Sequence, residues 1–268
     1  METRSQIRVR AFVRMWTGCV LFVIYLPILC GALAGLSKGR YFGFPIRVFS
    51  TEWWGKTFAS FEIQVLVQNS LLIAFIVTLI SVVLAFFGAL AFARYEWKGR
   101  KLYQKAILLP IFFPQPVLGL ALLLWFNALG FNPSWQTAVV AHLVWIVPVV
   151  TLVIAIQVYG FDPTLEEAAR DLGAGRWFIL REITLPILWP GVWSGALFAF
   201  LLSWGNFPLS LYTAGVDSTI PKWLYSKMVA GYSPMVPALG TMSTLSAAVL
   251  LLAGGLAITL MRRRRPEA

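Results

Sequence analysis

Long uninterrupted apolar runs, rather than short alternating ones, set the pattern of this chain. Six of them occupy about residues 13–36, 67–93, 106–129, 137–159, 189–212 and 238–261. No Asp, Glu, Lys or Arg occurs from Met15 to Leu36, Val67 to Ala93, Ala106 to Leu129, Thr137 to Gly160, Ile183 to Gly215 or Ser233 to Met261. A helix needs roughly 20 apolar residues to cross the hydrocarbon core. The pattern therefore predicts an all-α integral membrane protein of six transmembrane helices, organised as one domain over 1–268. Several runs carry breakers: Pro110, Pro114 and Pro116 in the third, Pro148 in the fourth, Pro190 and Pro208 in the fifth. Each proline frees a backbone carbonyl that protein or cavity water must satisfy. Pro208, beside Asn206, is read as broken backbone next to a substrate path, and the others as kinks fitted to packing. The pairs Gly31/Gly35 and Gly191/Gly195 have the spacing of close helix contacts.

Charge sharpens the picture. The 268 residues are 59% hydrophobic and 12% charged, with a formal net charge of +11. That excess is not spread as a nucleic-acid patch would be. With the N-terminus inside, sixteen Lys and Arg fall on inside segments (Arg4 to Arg14, Arg94 to Lys105, Arg170 to Arg181, Arg262 to Arg265) and six on outside ones. This is the positive-inside bias of an even number of spans with both ends inside. The first run has a basic leader and an Ala32-Leu33-Ala34 that mimics a cleavage site, but its length exceeds a signal core, so an uncleaved anchor is expected. Cys19 and Cys30 lie eleven residues apart on one helix, about 16 Å, too far for a disulfide.

Between the runs, 37–66 is an outside loop rich in aromatics (Tyr41, Phe42, Phe44, Trp53, Trp54, Phe58, Phe61). It reads as an interfacial belt or as a docking face for an external partner. Segment 94–105 is a short basic inside loop, 130–136 a tight outside turn, and 213–237 a longer outside loop with a short helix from Pro221 through Met228. Gly55-Lys56-Thr57 mimics the end of a P-loop, but Ser50 stands where the first glycine belongs. No span holds a carboxylate, and His142 is the single histidine. Ion-coupled carriers usually place ionisable relays inside the bilayer, so the energy for any transport is expected from another subunit. Gln115, His142, Trp204 and Asn206 are the polar or amphipathic candidates for a substrate path. Each has packing as its alternative.

The stretch 160-GFDPTLEEAARDLGAGRWFILREITLPIL-188 holds five of the eleven acids of the chain. Asp162 or Thr164 can cap a helix, with Pro163 in its first turn. Thr164 and Glu167 also fit a capping box. Leu165, Ala168, Ala169 and Leu172 form one apolar stripe, and Glu166, Glu167, Arg170 and Asp171 fill the other face. Gly173 supplies a left-handed stop. A second short helix, Arg176 to Ile183, is expected to end before Pro186. The result is a helix-turn-helix at the inside surface, with acids turned to a basic partner.

These residues carry a resemblance. Glu167-Ala168-Ala169, then Gly173, then Ile183-x-Leu185-Pro186, between the fourth and fifth of six spans, resembles the EAA loop of ABC-importer permeases. Asn69-Ser70, Leu109-Pro110, Leu202-Ser203-Trp204 through Ser210, Tyr212 to Gly215 and Ser233-Pro234 are similar to the spermidine/putrescine-type permeases. The resemblance implies the fold of a type I importer permease in the bacterial inner membrane. It implies an ABC ATPase dimer, a second permease and an external solute-binding protein as partners. This chain would bind no cofactor, with ATP and Mg held by the ATPase. Glu166, Glu167, Ala168, Ala169, Arg170, Asp171, Gly173, Ile183, Leu185 and Pro186 would form the ATPase-coupling element. Within it Glu167 would pair with a basic ATPase residue, Ala168 and Ala169 would allow a close fit, and Gly173 the turn. One departure stands out. Many polyamine-type relatives carry an acidic pair after the serine of the fifth span, where this chain has Gly205-Asn206. A self-sufficient carrier or channel, and a membrane-embedded enzyme, are the readings set against this one. The charge-free spans and the absence of clustered His, Cys or acids weigh against both.

Overall fold

The computed structural model describes residues 4–39, 43 and 45–263. The side chains of Arg4, Arg8 and Arg262 to Arg265, and the residues Arg40, Tyr41, Phe42 and Phe44, lie outside the described residues. The described residues are overwhelmingly helical. Among the described residues five helices are long and apolar enough to cross a membrane, and a bent pair makes a sixth span if it is counted as one. The five are α1 (Arg4–Gly35), α3 (Phe61–Ala89), α6 (Trp135–Tyr159), α9 (Leu185–Trp204) with the turns that lead into it, and α12 (Met235–Arg263).

The third apolar run is not the straight span its length suggests. It divides into α4 (Arg100–Phe112) and α5 (Gln115–Ala128), bent by 101°. A residue before proline is pushed out of the α region. Phe113, ahead of Pro114, is extended at φ −78° and ψ 134°. Pro110 sits inside α4 without breaking it. The fifth run is also shorter than its apolar length. Its helix stops at Trp204, and a separate short helix α10 (Pro208–Thr213) follows. The Asn206 Oδ1 accepts the Leu209 N–H at 3.1 Å, which satisfies one of the free donors at the start of α10. Two further helices lie outside the spans: α2 (Glu52–Ala59), which the apolar pattern does not announce, and α11 (Ile220–Ala230), which contains the expected Pro221–Met228.

The chain forms two compact units. One gathers the chain up to Gln64 with Leu224–Ser246. In it the Trp54 indole donates to the Gly35 carbonyl at 3.1 Å and Trp53 to the Lys38 carbonyl at 3.4 Å. These two members of the aromatic loop thus tie it to the end of α1. Gly35 packs on Ala238 of α12, where an added Cβ would lie 3.2 Å from its backbone nitrogen. Gly31, its GxxxG partner, meets nothing.

The other unit holds Val65–Trp223 with the chain from Ala247 onward, and α6 is its centre. Ile146, Val150 and Ile154 of α6 are fully buried. The Gly191/Gly195 pair forms the seam between α6 and α9. A Cβ on Gly191 would lie 2.5 Å from the Gln157 Cγ, and one on Gly195 3.0 Å from the Val150 Cγ1. Gly119 of α5 plays the same part against Tyr212 and Pro208 of α10. The loop after α10 is stitched down by polar contacts. Asp217 accepts the Trp135 N–H at 3.0 Å, Ser70 accepts the Ile220 N–H at 2.9 Å, and Thr137 donates to the Thr213 carbonyl at 2.7 Å.

Candidate functional site

The loop between α6 and α9 is built around a short helix, α7 (Thr164–Asp171). Asp162 Oδ1 accepts the Thr164 N–H at 3.0 Å, so Asp162 is the residue that turns the chain into the helix. Thr164 is already helical, so its expected capping box with Glu167 does not form. At the far end Gly173 has φ 85°. The Ala174 N–H donates to the Ala169 carbonyl at 2.9 Å and the Gly173 N–H to the Arg170 carbonyl at 2.8 Å. That is the Schellman closure expected of a glycine stop.

Glu166 and Glu167 are neighbours in sequence and about 100° apart around a helix of 3.6 residues per turn. Of the three acids on α7, Glu167 and Asp171 are exposed and Glu166 is not. Glu166 is 2% exposed, which corrects its placement on the outward acidic face. Its Oε2 accepts from Arg94 Nη2 at 2.9 Å, and its Oε1 accepts the Thr184 hydroxyl at 2.6 Å. Arg170 Nη2 approaches at 3.5 Å. Burial pushes this carboxyl upward, but the Thr184 hydroxyl and the Arg94 guanidinium outweigh it and hold the group below the usual glutamate value. Arg94 also lies over the Phe161 ring, 5.2 Å from its centroid. A cavity of about 650 Å³ opens beside this junction, lined by Tyr95, Glu166, Arg170, Arg176 and Thr184 among others.

The apolar stripe of α7 is mostly turned outward. Leu165 is 48% and Leu172 89% exposed, while Ala168 is exposed and Ala169 half-buried. The buried side of α7 is instead held by the charge on Glu166. Ile183 and Leu185 pack against the core of the unit, and Pro186 is half-buried. The second helix does not end before Pro186. It starts as α8 (Arg176–Ile179), widens into a π turn over Leu180–Thr184 and runs straight on into α9. Pro186 has no N–H to offer the Glu182 carbonyl, and the widened turn sits where that bond is missing. Trp177 and Phe178 on α8 are exposed and do not stand out in the sequence. Arg94 and Thr184 do not stand out there either. The available signal was a pair of adjacent glutamates, of which one helix face can take only one.

The intramembrane candidates fall into two places. His142 is fully buried on α6. Its Nδ1 lies 2.9 Å from the Ser203 hydroxyl and its Nε2 3.0 Å from the Ser210 hydroxyl. The imidazole thus spans the gap between the end of α9 and α10. Asn206 and Trp204 are buried at the same gap, and Trp204 stacks on Phe200 at 5.9 Å. Gln115 stands on another element, half-buried at the bend between α4 and α5. Asn206 spends its carbonyl on the backbone of α10.

Long apolar helices with one charged, helix-bearing loop between α6 and α9 define a multi-pass membrane protein. Residues 81–265 match the family described as binding-protein-dependent transport system inner membrane component, and the chain belongs to that family. It is 31% identical over 231 residues to the spermidine/putrescine transport system permease protein PotC of Haemophilus influenzae, covering 85% of this chain and 90% of that one. It is 33% identical over 175 residues to the molybdenum transport system permease protein ModB of Escherichia coli, covering 59% and 76% respectively. The crystal structure of a bacterial ABC transporter involved in the import of the acidic polysaccharide alginate superposes with a TM-score of 0.68 at 18% identity, over 94% of this chain and 95% of that one. The fold is that of a type I ABC importer permease.

Proposed function

We propose that the whole chain, 1–268, works as the non-catalytic permease of a binding-protein-dependent importer in a bacterial inner membrane. It would share the translocation path with a second permease and take its energy from ATP hydrolysed on a separate ATPase dimer. It binds no cofactor of its own in this reading. The observation that carries the proposal is α7: a short helix that exposes Glu167 and Ala168 and is anchored from behind by Glu166. A helix held on one side and bare on the other is suited to seat in a cleft of another subunit. Glu167, Asp171 and Arg170 supply its charge, Ala168 and Ala169 the close approach, and Gly173 the turn.

The solute is a small organic compound delivered by an external binding protein, polyamine-like or a related amine or amino-acid type. Relatives at similar identity carry solutes as different as spermidine and molybdenum by name, so similarity alone does not choose. Near the gap at Gly205-Asn206 the polar groups are neutral, and Asn206 Oδ1 is already engaged. A dication would find its counter-charge elsewhere, on the binding protein or the second permease.

The test is affinity purification of the tagged chain from mild detergent with mass spectrometry of the proteins that accompany it. The expected companions are an ATPase, a second permease and a binding protein, whose ligand can then be screened. Recovery of this chain alone, active without ATP, would turn the reading to a self-sufficient carrier. Reversing the charge at Glu167 (Glu167→Lys) is expected to abolish transport and leave the fold intact. Normal uptake by that variant would remove Glu167 from the coupling role.

A further inference from the structure

Two π turns interrupt the helices of this chain among the described residues, and both end on a residue that touches Glu166. The first, Leu90–Arg94, closes α3 and delivers Arg94. The second, Leu180–Thr184, opens α9 and delivers Thr184. A π turn inserts one residue into a helix and so rotates the next turns by about 100°. A regular α-turn at either place would aim a different side chain at the carboxylate. The two oxygens of Glu166 are divided between the two deliveries, Oε2 to Arg94 and Oε1 to Thr184. The junction is nearly dry: the Arg94 and Glu166 side chains are 16% and 3% exposed, and Thr184 is buried. Phe161, just beyond the end of α6, closes it with its ring under Arg94. Three segments of the chain therefore meet on one carboxylate, and Phe161 adds a fourth through the Arg94 guanidinium.

We propose that Arg94 and Thr184 are positioning residues of the transport cycle, which through Glu166 lock α7, the end of α3 and the foot of α9 into one rigid body. This rests on the reading of α7 as the contact of the ATPase. A displacement imposed on the exposed face of α7 is then delivered to two spans at once, rather than absorbed by bending of the loop. Breaking a buried, hydrogen-bonded charge leaves its partner uncompensated, so the lock has no intermediate setting. Arg170, which reaches Glu166 at 3.5 Å with a half-exposed side chain, belongs to the same helix and adds no link between segments.

The experiment uses the full complex, purified with its co-expressed ATPase, with Cys19 and Cys30 replaced by serine. Spin labels are placed at the exposed positions Lys98, in the loop after α3, and Leu172, at the end of α7. Distances are read without nucleotide and after trapping with ATP and vanadate. The parent is expected to give one narrow Lys98–Leu172 distance that is the same in both states. Thr184→Val, which keeps shape and loses the hydroxyl, is expected to lose that single narrow distance, and Thr184→Ser to retain it. Glu166→Gln is expected to resemble Thr184→Val. A parent distance that changes on trapping, or a Thr184→Val variant with the same narrow distance, overturns the lock. The two hypotheses separate through the mobility of the Leu172 label. If the label is as mobile in the ATPase complex as in the chain purified without the ATPase, the coupling reading itself fails, whatever the distances show.

Discussion

Just beyond α6 the chain buries a carboxylate against a guanidinium and a hydroxyl; within α6 it buries an imidazole against two hydroxyls. Both arrangements tie elements that are distant in sequence. They differ in charge. His142 sits mid-span, where an ion is costly, and it is satisfied by neutral partners on both ring nitrogens. Glu166 sits in the loop outside the spans, and it is satisfied by a full counter-charge. A neutral tie is cheap to bury and weak to break. A charged tie costs more to bury and is far more damaging when one half is removed. The chain thus uses its stronger, more brittle fastening at the place where force is expected to enter.

That contrast can be broken from the charged side first. Arg94→Ala should cost about 3 kcal/mol or more, because it strands a buried carboxylate. Hydrogen exchange of the amides of α7 should report this as lost protection confined to the loop. Adding Glu166→Gln should recover part of it, since the stranded charge is then gone. From the neutral side, His142→Ala should cost about 2 kcal/mol, combining a small cavity with two hydroxyls that lose a partner. Its thermal midpoint in detergent should fall by an amount that salt does not change. A smaller effect is expected at Gly173→Ala, about 1 kcal/mol, because φ 85° is disfavoured for a residue with a Cβ. Nothing lies within 4 Å of that Cβ, so the cost comes from the backbone alone.

Acid offers the finest discrimination. The Glu166 carboxyl is held below its ordinary value of 4.5. A depressed carboxylate stabilises the folded loop fully above the unfolded value and loses that contribution as pH falls through the folded one. Protection of the α7 amides should therefore persist at pH 4.5 and fall only below it. Protection already lost above pH 4.5 would show that the carboxylate is not held by its partners.

The spans were legible in the sequence because hydrophobicity and length dictate them with little help from packing. The glycine stop at 173 was legible for the same local reason. The direction in which α7 faces was not. Its apolar residues, Leu165 and Leu172, are the pattern on which an amphipathic reading rests, and they point outward. The buried side is chosen by Glu166, whose partners come from residues 94 and 184. No local pattern links those three positions. Apolar length alone does not register the breaks in the third and fifth runs, although the prolines do: Pro208 beside Asn206 marks the fifth, while the bend at Pro114 is sharper than the packing kink expected there. Apolar length continues through Phe113-Pro114 and through Gly205-Asn206, while the backbone does not. Hydropathy registers solvent preference and is blind to a missing N–H. His142 showed itself as a polar outlier, but its partners Ser203 and Ser210 appear only when α9 and α10 are set side by side.

The bend between α4 and α5 bears on how the chain is made. With 13 and 14 residues, each half is about 20 Å long at 1.5 Å per residue, short of the ~30 Å hydrocarbon thickness. The cellular insertion machinery, which sorts nascent segments by apolar length, has only the joined stretch to recognise. The halves must therefore enter together. The packing of α5 is completed by α10, which lies on Gly119 and leaves the ribosome much later. The third span is thus inserted early and finished late, and a chain truncated before Pro208 should carry it in the membrane without its final shape.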